Sequence, residues 1–131
     1  MDSSSIVLPG AEIERISLED GILRLDFSRV IIIKTMTGAE EKTKWWQAGS
    51  LIIEGAEAQA PLPEAPAICD GGDVDENIYT YRNMIPIPLD SRGHTRCALK
   101  LRDSDAQILV QGETIRLEMR DVPKYIEHIR D

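Results

Sequence analysis

Three groups of residues have the types and spacing that could do chemistry. In Asp70-Gly71-Gly72-Asp73-Val74-Asp75-Glu76-Asn77, the oxygens of Asp73, Asp75 and Asn77 match the opening of a calcium loop, because a hard cation is held by clustered oxygens. Such a loop needs glycine at its sixth position and a bidentate acid at its twelfth, and these places hold Ile78 and Met84. The stretch therefore reads as an acidic, glycine-bearing turn with no bound metal, and partner contact is its next use. The second group is Asp90-Ser91-Arg92-Gly93-His94 with Cys97 three residues on. A nucleophile needs a base within hydrogen-bond reach. Cys97, however, falls on the apolar side of an alternating run, which suits a buried thiol acting as a small hydrophobe. Arg92 and His94 could instead hold an anion in a turn. His94 and His128 are the chain's two imidazoles, and with Cys69 and Cys97 they lack zinc-site spacing.

The third group is Trp45-Trp46, with Tyr79 and Tyr81 on the far side of an acidic stretch. Neighbouring residues of a strand point to opposite faces, so one indole can fill a core while the other stands out as a flat, half-wet platform. That platform could anchor a protein partner or stack on a ligand.

Charge is distributed unevenly. No Lys or Arg occurs between Trp45 and Tyr81, whereas Glu54, Glu57, Glu64, Asp70, Asp73, Asp75 and Glu76 all do, in a chain of net charge −8. Pro61, Pro63 and Pro66 lie in the same interval, so residues 55–78 read as a long acidic excursion rather than as a central strand or one helix. Arg96, Lys100 and Arg102 share a strand face with Arg116 and Arg120. Glu118 sits among them, no aromatic residue is interleaved and the net charge repels a phosphate backbone, so nucleic acid is not the expected partner. The excursion could lie over this cationic face through weak, salt-screened pairs.

The elements that must position these groups show in the hydropathy pattern. Cys97, Leu99 and Leu101 alternate with Arg96, Ala98, Lys100 and Arg102, the period of a half-buried strand. Asp103-Ser104-Asp105 supplies a turn, Ala106 to Gln111 a second strand and Gly112-Glu113 a two-residue turn into a third strand over 114–120. Glu12 to Leu18 and Leu23 to Phe27 form a hairpin about Asp20-Gly21. Val30 to Ile33 is a strand covered on both faces, Thr37 to Glu41 a turn, and Leu51 to Ile53 another buried strand. Val122, Tyr125, Ile126 and Ile129 fall at helical spacing with Asp121 as N-cap and Pro123 in the first turn, which predicts a short closing helix.

The expected fold is a single domain over 1–131, all-β and mainly antiparallel. It would be a small sandwich or partly open barrel of seven to eight strands, with the acidic loop and the C-terminal helix appended. A length of 131 residues supports one core. Neither a secretory signal nor a membrane span is evident, so two reduced thiols in a cytoplasmic protein are expected. The functional reading is a non-enzymatic protein-interaction or structural module that needs no cofactor. Its contact surface would combine Trp45, Trp46, Glu57, Glu64, Asp70, Asp73, Asp75 and Glu76, for a partner that could be basic. The alternative is a binder of a sugar or other small organic ligand, using an indole with Tyr79, Tyr81, Arg82, Arg92 and His94 at the mouth of the fold.

Overall fold

A computed structural model describes residues 3–36 and 41–129. Nine strands follow one another: β1 (Ser3–Glu19), β2 (Ile22–Thr35), β3 (Lys42–Glu54), β4 (Glu57–Ala58), β5 (Ala67–Glu76), β6 (Tyr79–Arg82), β7 (Met84–Ile87), β8 (Asp90–Leu101) and β9 (Gln107–Ile129). All pairings are antiparallel and belong to one sheet, ordered β6-β5-β8-β9-β3-β2-β1-β7 with β4 on β9. The path also returns on itself, since Glu12 and Ile13 of β1 pair with Ile68 and Ala67 of β5. β6 and β7 occupy the wedge between those two strands. Asn83 links them: its carbonyl accepts from Leu8 N–H, and its own N–H donates to the Gly72 carbonyl, both at 2.8 Å.

The β1–β2 hairpin turns at Asp20-Gly21, both with positive φ, as a tight turn of matching twist requires. Inward residues of alternating strands make one core, including Ile6, Leu8, Ile13, Leu25, Phe27, Ile32, Leu51, Ile53, Cys97, Leu99 and Val110. Leu51, Ile52 and Ile53 are all buried. Ile52 is buried although it lies on the outward side of β3, where its cross-strand neighbours are the long side chains of Arg24 and Arg116. Among the described residues no helix is long and apolar enough to cross a membrane.

Three expectations need correction. The predicted C-terminal helix is the end of β9, paired with β3 from Lys42↔Ile129 onward. Asp121 (φ 64°), Val122 and Pro123 stand opposite Gln47 alone, a bulge whose Asp121 carbonyl accepts from the Gln47 amide at 2.8 Å. A second irregularity at Ile126 adds another residue. Two insertions into a period of two spread Val122, Tyr125, Ile126 and Ile129 to spacings that imitate a helix. Moreover, a proline without an N–H suits a bulge as well as a first helical turn.

The predicted turn at Gly112-Glu113 is likewise absent. β9 runs through it, changing neighbours: residues 107–116 pair with β8, and 114–129 with β3. Glycine is needed there because a Cβ would meet Ile53 and stand 2.8 Å from the Glu54 carbonyl.

The acidic excursion is a loop only in part. β5 lies in the sheet between β6 and β8, with Cys69 and Val74 fully buried, and its alternation is broken by a bulge at Gly71-Gly72. Gly72 (φ 150°) approaches β8 so closely that a Cβ would run into the Ala98 carbonyl and stand 2.8 Å from Leu99 Cα. Irregular backbone spans residues 59–66, and Leu62 of that stretch packs on the core. Of the turn expected at Thr37 to Glu41, residues 37–40 lie outside the described residues.

Candidate functional site

Strand register builds one feature that alternation alone does not reveal. Across the outer face, Met84 of β7 pairs with Val7 of β1, Val7 with Ile31 of β2, Ile31 with Trp46 of β3, and Trp46 with Lys124 of β9. Four large apolar side chains thus form a row perpendicular to the strands, spanning about 14 Å at the usual inter-strand spacing. The inward row beside it is Ile85, Ile6, Ile32, Trp45 and Tyr125. Trp45 and Trp46 therefore serve opposite faces. Trp46 is held between two cations, with Arg29 Cζ 5.5 Å and Lys124 Nζ 4.4 Å from its ring centroid. Beside the row Val7, Pro9, Ile31, Ile33, Lys44, Glu127 and Ile129 line a shallow cleft of about 390 Å³. Met84 is 41% exposed, and Val7, Ile31 and Trp46 are half-buried.

Trp45 closes the core at the other end of its own row. Its Nε1 donates to Thr43 Oγ1 at 2.8 Å, Lys34 Nζ sits 4.4 Å over its ring, and Tyr125 meets it edge-on at 5.3 Å. Tyr125 shares a 2.8 Å hydrogen bond with His128 Nδ1, and His128 Nε2 lies 3.5 Å from Glu41. Tyr125 and His128 escaped sequence reasoning as neighbours of Trp45 because residues 122–129 carry a helical spacing, and Lys34 because its place follows from the pairing of β2 with β3.

The acids of β5 are engaged locally, by β6. Asp73 accepts from Arg82 Nε at 3.1 Å, Asp75 from Thr80 Oγ1 at 2.8 Å and Glu76 from the Tyr81 hydroxyl at 2.8 Å. The Glu76 hydrogen bond, with burial and the charges of Glu76 and Tyr79, raises the Tyr81 phenol above its usual range. Tyr79 and Tyr81 stack at 6.4 Å. Asn77 turns the hairpin and fastens it to β8, its N–H donating to the His94 carbonyl at 2.8 Å and its amide to the Arg92 carbonyl at 3.0 Å. Tyr79, Tyr81, Arg82, Arg92 and His94 are thus brought to the same hairpin and the strand beneath it, without an indole. Trp45 pairs with Tyr125, thirteen residues along β9 from Gly112, the level at which Thr95 and Glu76 connect to Tyr79; that is roughly 40 Å of strand. Asp70 is exposed beside the glycine bulge, in a polar cleft of about 430 Å³ shared with Asp73, Arg82, Asn83, Lys100 and Gln107. Glu57 is exposed on β4 opposite Gln111, and Glu64 is exposed in the irregular segment.

The oxygen set Asp73, Asp75 and Asn77 does not converge, since two members hold β6 partners and the third is tied to Arg92. Among the described residues no group of three or more His, Cys, Asp or Glu is placed to hold a metal ion. Cys97 faces the core, and burial, followed by the nearby Cys69, pushes its thiol up to about 12, while His94 is exposed. Cys69 is fully buried as well, and burial raises its thiol too.

Arg116 and Arg120, expected in a free cationic face, belong to an ion network on the outside of β1, β2, β3 and β9. Arg116 meets Glu118 at 3.2 Å and Glu54 at 3.4 Å; Arg120 reaches Asp26 at 3.7 Å and Glu14 at 3.9 Å. At its centre the fully buried Ser50 hydroxyl donates to Asp26 at 2.5 Å and accepts from Arg120. Burial alone would raise the Asp26 carboxyl, but the hydrogen bonds from Ser50 and Arg24 and the charges of Arg24 and Arg120 hold it below the usual range. Compared with known protein families, curated proteins and solved structures, the chain matches none.

Proposed function

We propose that this chain is a non-enzymatic protein-interaction module that docks its partner on the outer face centred on Trp46. The observation that carries this reading is the cross-strand row Met84–Val7–Ile31–Trp46, an apolar line on the solvent side of the sheet, with an indole clamped between Arg29 and Lys124. A half-buried Trp beside Arg, in a patch of aliphatic neighbours, is the composition on which interface energy concentrates. The local pairing of Asp73, Asp75 and Glu76 with β6 supports giving the contact to this face and not to the acids. The return of β5 to β1 supports reading the sheet as a partly open barrel, a rigid support for a flat contact. Two free thiols held in the core fit a cytoplasmic setting.

The reading is tested with a photo-crosslinking residue placed at Met84, and, as a control, at Ser104 in the β8–β9 turn. Partner crosslinks should form from position 84 and disappear with Trp46→Ala. Equal crosslinking from both positions, or a Trp46→Ala variant that still crosslinks, would reject it.

The small-ligand alternative has one observation in its favour, the cleft of about 310 Å³ lined by Ser4, Lys34, Met36, Thr43 and Trp45. There the core-closing indole, with Lys34 over its ring, would be the platform.

A further inference from the structure

Resting on the assignment of the contact to the Trp46 face, we infer that its occupant is an acidic amphipathic helix of another protein. The charges on this face run against those of the chain. Arg29, Lys44 and Lys124 adjoin the row, with Lys42 two residues before Lys44 on the same strand face; against these four cations stand two acids, Glu12 opposite Arg29 and Glu127 opposite Lys44. This cationic rim lies on a molecule of net charge −8. A short acidic segment feels the local cations, because charges beyond about 8 Å are screened at physiological salt. An extended polyanion, whether a nucleic acid or an anionic bilayer, would also confront the rest of an acidic protein. A second copy docked on this face about a twofold axis would bring one excess of cations against the same excess on the other copy, and such like-charge contact is unfavourable.

The spacing selects the conformation. The row crosses four strands at about 4.8 Å per step, close to the 5.4 Å pitch of an α-helix, so a helix lying along it presents one apolar side chain per turn to successive members. Acids on the flanks of that stripe then reach Arg29 on one side and Lys44 on the other, and an acid at the end of the helix reaches Lys124, which continues the row beyond Trp46. The apolar stripe fills the shallow cleft beside Ile31 and Ile33.

The test uses the full chain and a synthetic helical peptide with leucine at one position per turn and glutamate on both flanks, followed by fluorescence anisotropy. Its controls are the same peptide with lysine for glutamate, the same with serine for leucine, and phosphatidylserine vesicles. The glutamate-leucine peptide should bind at least about tenfold more tightly than either control peptide, a difference of about 1.4 kcal/mol, and should weaken as salt is raised. Lys124→Glu should lower its affinity about tenfold. Met84→Glu, a change at an exposed edge-strand position that leaves folding intact, should do the same. Equal binding of the glutamate and lysine peptides would overturn the acidic assignment. Capture of vesicles without the peptide, or concentration-dependent dimerisation abolished by Met84→Glu, would overturn the helix in favour of a lipid or a second copy. Peptide binding that is untouched by Met84→Glu and Trp46→Ala would instead overturn the contact face itself.

Discussion

Replacing Asp26 with Ala asks whether the outer-face network stabilises the sheet or merely decorates it. The carboxylate accepts from Ser50 at 2.5 Å and from Arg24 at 2.9 Å and faces Arg120 at 3.7 Å, with its side chain 13% exposed. Hydrogen bonds to a charged group contribute about 1.5–3 kcal/mol each, and removing one partner of a buried pair leaves the others uncompensated. The arginines remain about a third exposed and the bonds share one acceptor, so the losses do not add. A net loss of about 2–4 kcal/mol follows, equivalent to a fall in Tm of roughly 8–15 °C for a domain of this size. Asp26→Asn keeps the shape and an acceptor for Ser50 but removes the charge, and should fall between wild type and Ala. Because the folded carboxyl titrates below its unfolded value, its contribution is complete above the unfolded value near 3.8 and is lost as pH falls through the folded one. Thermal unfolding by circular dichroism along a pH series should therefore show the gap between wild type and Asp26→Asn narrowing in acid. A loss under about 0.5 kcal/mol for Asp26→Ala, or a gap that stays constant down to strong acid, would refute the network as a source of stability.

Two further outcomes are expected. Leu99→Ala removes a fully buried side chain from the core and should cost roughly 2–5 kcal/mol in denaturant titration, whereas Lys100→Ala, exposed on the same strand, should cost less than about 0.5. Both thiols are buried, so native alkylation at mild pH should proceed only through opening of β5 and β8 and should accelerate sharply in denaturant; rapid labelling of either in native protein would contradict its placement.

The β class was legible in residues whose faces are set by neighbours along the chain. Cys97, Leu99 and Leu101 alternate with charges because one side of β8 is wet. Asp20-Gly21 turns a hairpin because those two residues accept positive φ. Trp45 and Trp46 necessarily part company in a strand, but which indole faces outward follows only from the pairing of β3 with its neighbours. Sequence reasoning failed where the backbone departs from a strict period. The bulges at Asp121 and Ile126 made a strand resemble a helix, and Gly71-Gly72 hid β5 inside an acidic segment in which Cys69 and Val74 are in the core while Ile68 and Ile78 are exposed. Gly112 looked like a turn because a glycine demanded by a close approach reads the same as one demanded by a turn. The row Met84–Val7–Ile31–Trp46 depends on the pairing of four strands distant in sequence. Alternation assigns each of these residues a face, but only long-range register sets them side by side, since a slip of one residue would send any of them to the opposite face.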